Sequence, residues 1–141
     1  MKKGFTLAEL IGVLVILALI GMIAIPSVTK TIKNNKSNIC IIQFNNIIEE
    51  AKGWASNNID KLPTTNGAYS NIDECISNGY CTTVTFNDLV KYGYTEDNLI
   101  DPITKEKFSD SWYVKIEKIN NKLDYKIYNG TEWIDPEKYC K

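Results

Sequence analysis

The clearest pattern in this chain is an apolar run of 21 residues, Phe5 to Ile25, which carries a single charge at Glu9. As an α-helix rising about 1.5 Å per residue, such a run covers about 30 Å, the thickness of the hydrocarbon core of a bilayer. Two lysines precede it, and the positive-inside tendency places the N-terminus in the cytoplasm and residues 27–141 outside. The pattern predicts a single-pass membrane helix.

A cleaved secretory signal also has a short basic region followed by an apolar run. This run is longer than the usual apolar region of a signal peptide, and Pro26-Ser27-Val28 follows it without a small-x-small cleavage site. The basic region ends in Gly4 directly before the run. Any cut is therefore expected before the run.

After Pro26 the apolar residues recur at steps of three and four, which is typical of an amphipathic helix. The stripe consists of Val28, Ile32, Ile39, Cys40, Phe44, Ile47, Ile48, Ala51, Trp54 and Ala55. The pattern weakens from Lys33 to Asn38, so we expect the helix to pack on a sheet only from about Ile39. Its expected end is Asn57 or Asn58.

The remaining residues, 59–141, are enough for one small domain. Residues 59–85 are rich in turn-forming residues and show little periodicity, which predicts a structured connection. Thr85 with Asp88 three positions on is a capping signal, and a glycine follows the next apolar residues. We therefore predict a short helix over 86–92.

Apolar and polar residues alternate over 112–117 and 123–128, as in half-buried strands. Asn120-Asn121 joins the two runs, and Asn129-Gly130 predicts a second tight turn, of type I′, before a short third strand. The pattern predicts an α+β fold. In it the long helix packs on a three-stranded antiparallel meander over residues 111–134.

The composition narrows the possible functions through the residue types it lacks. The chain has 16 lysines against 17 acidic residues, no arginine and no histidine, and a formal net charge of −1. Without histidine there is no histidine-based triad or histidine metal site, and the balanced charge gives no strong basic face for nucleic acid. We interpret the chain as a non-enzyme and predict no cofactor.

The N-terminal 30 residues or so resemble a known leader. The motif consists of Lys3-Gly4-Phe5-Thr6-Leu7-Ala8-Glu9-Leu10, the unbroken apolar run and Pro26. It is similar to the class III leader of type IV pilins and pseudopilins. The resemblance implies that a membrane prepilin peptidase removes residues 1–4 by cutting between Gly4 and Phe5, and that the same enzyme N-methylates Phe5.

The resemblance also implies assembly roles for two residues of the span. A carboxylate is costly in an apolar helix; in the family, Glu9 would pair with the Phe5 amine of a neighbouring subunit in the filament. A neutral, protonated Glu9 near the lipid headgroups is the alternative. Pro26 cannot donate to the Met22 carbonyl, so we expect the helix to kink or loosen there. Alternatively, Pro26 only marks the membrane exit.

The implied organisation is a leader (1–4), a transmembrane and filament-core helix (5–26), an amphipathic helix (27–58) and an extracellular globular domain (59–141). The implied function is a subunit of a type IV pilus or pilus-like filament on the cell surface, acting in adhesion or twitching. Its partners would be other pilins, prepilin peptidase, a platform protein and an assembly ATPase. Two alternatives are a pseudopilin of a competence or type II secretion system, and an anchored binding domain that never polymerises.

Four cysteines, Cys40, Cys75, Cys81 and Cys140, lie outside the membrane on this topology, where disulfides persist. The usual zinc-site spacing is absent, so two bridges that staple a small domain are expected. We favour Cys75–Cys81, which closes a short loop, together with Cys40–Cys140, which joins the apolar stripe to the chain end. Pairing of Cys40 with Cys75 or Cys81 stays open.

The weaker candidate sites concern modification, calcium and adhesion. Asn35 and Asn129 fit the glycosylation pattern, although a hairpin turn already explains Asn129-Gly130. The acidic residues around Pro102 are similar to the calcium loop of major secretion pseudopilins, but their spacing fits no defined loop, and we interpret them as a solvated turn without metal. They are Asp97, Asp101 and Glu106. The candidate adhesive residues are Tyr69, Tyr80, Tyr92, Tyr94 and Tyr139.

Overall fold

The structure, a computed structural model, describes residues 6–141, and for Ile23, Ala24 and Pro26 it describes only the backbone. The chain forms two compact units, one that ends at Asn38 and one that spans Ile39–Lys141. The first helix, α1 (Leu7–Asn57), contributes residues to both units. It ends at Asn57, one of the two residues predicted as its end.

The second unit has an α+β layout, as predicted from the periodicities. After α1 its elements are, in chain order, a 3₁₀ turn (Ile59–Lys61), α2 (Ile72–Ser77), β1 (Cys81–Thr85), α3 (Phe86–Lys91), β2 (Tyr113–Ile119), β3 (Lys122–Tyr128), β4 (Trp133–Ile134) and α4 (Pro136–Tyr139). The strands form one antiparallel sheet in the order β1-β2-β3-β4.

The predicted three-stranded antiparallel meander over residues 111–134 is present as β2-β3-β4, but the sheet has a fourth strand that was not predicted. The additional strand, β1, lies within residues 59–85, which were predicted to be a connection. Its sequence, Cys-Thr-Thr-Val-Thr, is dominated by β-branched residues, which favour the pleated sheet surface. The threonines were grouped with turn-forming residues, and this hid the strand. Because β1 pairs with β2 along its whole length, β2 is an interior strand.

Local capping and turn chemistry explain the short elements. The predicted helix over 86–92 is confirmed as α3: the Thr85 hydroxyl accepts a bond from the Asp88 amide at 3.0 Å, and the Asp88 carboxylate accepts the Thr85 amide at 3.3 Å. Asn120 and Asn121 both have positive φ and form a two-residue turn, as type I′ geometry requires.

The type I′ prediction for Asn129-Gly130 is wrong. Gly130 has a positive φ whereas Asn129 does not, and residues 129–132 separate the paired Tyr128 and Trp133. The Asn129 side-chain oxygen instead accepts bonds from the amides of Thr131 at 2.9 Å and Glu132 at 2.8 Å. This local side-chain bonding makes a wider turn.

The core of the second unit is formed by the apolar stripe of α1 and one face of the sheet. The strand register aligns one apolar residue from each strand in a row across this face: Val84, Val114, Ile127 and Ile134. Phe44 of α1 is fully buried among aromatic rings, with the Trp112 ring 6.1 Å and the Tyr139 ring 5.5 Å away. The predicted stripe from Ile39 onward therefore packs on the sheet mainly through Cys40, Phe44, Ile47, Ala51, Trp54 and Ala55.

Candidate functional site: the N-terminal carboxylate and the exposed apolar helix

Glu9 is held at the start of α1 by the residue that caps the helix. The Glu9 Oε2 atom accepts bonds from the Thr6 amide at 2.8 Å and the Thr6 hydroxyl at 2.9 Å, and the Thr6 hydroxyl accepts the Glu9 amide at 3.3 Å. This is a reciprocal capping box. Sequence reasoning considered Glu9 only as a filament or lipid-facing group, although the Thr-x-x-Glu spacing already indicated the cap.

The capping box changes how the Glu9 carboxylate is interpreted. The Thr6 amide and the Thr6 hydroxyl both donate to the same oxygen of this carboxylate. The carboxylate is therefore oriented within its own chain before any partner arrives. The capping box thus gives Glu9 a role within its own chain, beside the two roles considered from the sequence.

The apolar side chains of the first unit are exposed in the isolated chain. They include Leu7, Leu10, Ile11, Val13, Leu14, Val15, Ile16, Leu17, Leu19, Ile20, Met22, Ile25, Val28 and Ile32. No described side chain in the most apolar stretch of α1 is buried, and the helix is long and apolar enough to cross a membrane. A patch of this size on a soluble surface is unusual, so a cover is expected from lipid or from another protein.

The predicted cleavage and methylation sites and the predicted helix kink concern Gly4, Phe5 and Pro26. Gly4 and Phe5 lie outside the described residues, and the cleavage and methylation sites stay predictions. At position 26 the backbone is helical, because α1 continues from Leu7 to Asn57. Just after it, the Thr29 hydroxyl donates to the Ile25 carbonyl at 2.9 Å, a side-chain bond that often bends helices.

The four cysteines form the two pairs that the sequence analysis favoured. Cys40 of α1 joins Cys140, which directly follows α4, with a Cα–Cα distance of 5.7 Å, and Cys75 of α2 joins Cys81 of β1 with 5.4 Å. The first bridge ties the chain end to the long helix across 100 residues of sequence. The second ties α2 to the sheet.

The second face of the sheet carries a buried charge cluster that sequence reasoning missed. The side chains of Lys115 and Glu117 are only 5% and 9% exposed, and Lys115 Nζ lies 2.8 Å from Glu117 Oε2. The Tyr69 hydroxyl contacts both groups, and Lys126 Nζ lies 3.3 Å from Glu117 Oε1. The strand over 112–117 was predicted to be buried on one face only. That prediction is wrong for β2, which is buried on both faces.

The cause is the segment before β1, which covers this second face. The register places Cys81 opposite Glu117, so the Cys75–Cys81 bridge holds α2 and the residues before it near the charge cluster. Burial opposes ionisation of Glu117, but hydrogen bonds from Lys115, Tyr69 and Lys126 outweigh it and hold the pKa of Glu117 below its usual value. The cluster is satisfied internally, which favours a structural role.

The acidic residues around Pro102 do not gather into a metal site. Asp101 is buried, and its carboxylate accepts bonds from the Ile103 amide at 2.7 Å and the Tyr139 hydroxyl at 2.6 Å. Over residues 6–141, no group of three or more acidic or cysteine side chains is placed to hold a metal ion. Asp101 instead links the loop to α4, and burial together with this bond raises the pKa of Tyr139.

The candidate tyrosines differ in exposure, and the two candidate asparagines differ in how their side chains are used. Of the five tyrosines, Tyr92 is exposed, while the other four are partly covered. The Tyr94 hydroxyl accepts a bond from Asn57 at 2.7 Å, and Tyr139 and Tyr69 are used as described above. The side chain of Asn129 is occupied by its turn, whereas Asn35 lies on the exposed part of α1.

Comparisons of this chain with protein-family models, with curated proteins and with solved structures find no match. Three features of the chain itself bear on its function. They are the oriented carboxylate of Glu9, the exposed apolar helix around it and the disulfide-stapled α+β unit.

Proposed function

We propose that this chain is a structural subunit of a type IV pilus or pilus-like filament, processed by prepilin peptidase and polymerised from the membrane. The observation that carries the proposal is the Glu9 carboxylate, held by Thr6 on a helix whose other side chains nearby are apolar and exposed. A simple membrane anchor could use Glu9 as a helix cap, but it has no need of the Gly4-Phe5 leader motif that precedes this carboxylate. An assembling subunit needs both a cover for its apolar helix and a specific polar partner.

The second unit supports this proposal through its location and stability. Two disulfides fit a domain outside the cell membrane, where thiols oxidise, and they stabilise a domain of modest size. A filament subunit must keep its fold when other copies pack around it. The proposed partners are other copies of the chain, related pilins, prepilin peptidase, the platform protein and the assembly ATPase.

Two other functions make different demands on the same residues. A pseudopilin of a DNA-uptake or secretion system would use Glu9 in the same way but form a short filament. A membrane-anchored binding domain would use α1 only as an anchor and would tolerate loss of Glu9. Filament yield of Glu9 variants therefore separates polymerising from non-polymerising functions.

The mass of the intact, membrane-extracted protein tests the processing step. We expect a mature chain that begins at Phe5 and carries one N-methyl group. Gly4→Val should retain the leader, because a branched side chain at the scissile residue blocks close approach of the peptidase to the backbone. A chain that begins near Ser27, or one that keeps Met1, would contradict the proposal.

A further inference from the structure

A row of three aromatic residues crosses the second face of the sheet. The register places Tyr113 of β2 opposite Tyr128 of β3, and Tyr128 opposite Trp133 of β4. Their ring centroids are 5.1 Å apart for the first pair and 4.9 Å for the second. Trp133 is 45% exposed, whereas Trp54 and Trp112 are buried in the core. The row is thus a surface feature with an accessible indole at one end.

These rings line an open pocket of about 340 Å³, which is within the range of small-ligand sites. Its other wall is formed by the residues from Tyr69 to Ile72. This wall is fixed in place, because the Ser70 amide donates to the Glu74 carboxylate at 2.8 Å and the Asn71 side chain accepts the Glu74 amide at 2.9 Å. The pocket therefore combines aromatic surface with a short polar rim.

A cation already lies beside two of the rings that line the pocket. The Lys115 ammonium is 4.7 Å from the Trp133 ring centroid and 5.1 Å from that of Tyr69, and Glu117 pairs with the same ammonium. A cationic ligand would have to compete with this ammonium for the electron-rich ring faces. The pocket instead suits a neutral ligand with weakly positive C–H groups and hydroxyls.

We propose that this pocket binds a neutral carbohydrate, a pyranoside whose hydroxyls are mostly equatorial. The axial C–H groups on one face of such a sugar carry a small positive charge and would stack on the accessible indole of Trp133, whereas the Tyr128 ring, tilted by 56° to that indole, forms a side wall. Its equatorial hydroxyls reach the polar rim at Ser70 and Asn71. The interaction depends on the second unit alone and does not require filament formation.

The test uses the full-length chain in lipid nanodiscs that contain no sugar-based detergent. Chitotetraose and cellotetraose are titrated, and binding is followed by tryptophan fluorescence and by saturation-transfer NMR on the sugar protons. We expect saturation transfer strongest at the axial protons. Trp133→Ala should weaken binding by about tenfold or more, whereas Trp133→Phe, which keeps a ring, should weaken it less.

The matched control is Tyr92→Ala, which removes an exposed aromatic ring from another part of the unit and should leave affinity unchanged. Peptide mapping of both disulfides checks the fold of each variant, and Tyr128→Leu provides a second removal of a ring if Trp133→Ala does not fold. The proposal is overturned if neither sugar binds, if Trp133→Ala binds as tightly as wild type, or if choline binds in preference to the sugars.

Discussion

The two parts of helix α1 contain similar apolar residues but differ in what covers them. From Leu7 to Ile32 the apolar side chains described are exposed, whereas from Cys40 to Ala55 one stripe is buried against the sheet. Each buried large apolar side chain contributes roughly 1.5–3 kcal/mol to folding. The first part therefore adds little to the stability of the isolated chain, and its apolar surface is available to lipid or to another protein.

The largest expected effect is on filament yield and concerns Glu9. Under the proposed function, Glu9→Ala and Glu9→Gln should abolish filaments while membrane insertion is retained, because the charged partner of the neighbouring amine is lost. Electron microscopy of sheared filaments, with immunoblots of the membrane fraction, measures both. Thr6→Ala is the control, since it removes the cap but keeps the carboxylate, and it should reduce yield only in part. Normal yield from Glu9→Ala would contradict the pairing.

The next effect is loss of the long disulfide in the second unit. A bridge that closes about 100 residues is worth about 4.7 kcal/mol by chain entropy, so Cys40→Ser combined with Cys140→Ser should lower the unfolding free energy by nearly that amount. The control is Cys75→Ser with Cys81→Ser, which opens a much shorter loop and should cost less than about 3 kcal/mol. Chemical denaturation measures the unfolding free energy of both double variants. Equal losses in the two would contradict the dependence on loop length.

A core substitution compares the two parts of α1 directly. Phe44→Ala should destabilise the second unit by about 4 kcal/mol, because it leaves a cavity among buried rings. Leu14→Ala is the matched control in the exposed part and should change this unfolding free energy by less than about 0.5 kcal/mol. Denaturation followed by near-ultraviolet circular dichroism measures both. A similar loss from Leu14→Ala would show that the first part also supports the fold.

The smallest effect is a pH dependence from Glu117. Its pKa is lower in the folded chain than the unfolded value of about 4.3, so its contribution is present above that value and is lost as the pH falls through the folded pKa. Between pH 7 and pH 3 the wild type should lose more unfolding free energy than Glu117→Gln, by less than about 2 kcal/mol, which is the limit that the unfolded pKa sets at pH 3. Glu137→Gln changes an exposed residue and should show the same pH dependence of the unfolding free energy as wild type. Equal losses of unfolding free energy in all three proteins would contradict the prediction.

Much of the local structure could be predicted from sequence because neighbouring residues decide it. The end of α1 at Asn57, the Thr85–Asp88 cap and the Asn120-Asn121 turn each depend on a few adjacent side chains. The capping box of Thr6 and Glu9 was equally local and equally visible. It was missed because the family resemblance directed the interpretation of Glu9 toward a distant partner.

Other features depended on contacts between residues far apart in the chain. The sequence by itself determined that α1 has an uncovered apolar part and an amphipathic part, because both follow from periodicity along a single helix. Only the tertiary structure decided that β1 joins the sheet, that Lys115 and Glu117 are buried, and that Trp133 lies beside Tyr128. The physical reason is that an alternating strand pattern cannot show whether a covering segment, here fixed by the Cys75–Cys81 bridge, will exclude water from the polar face.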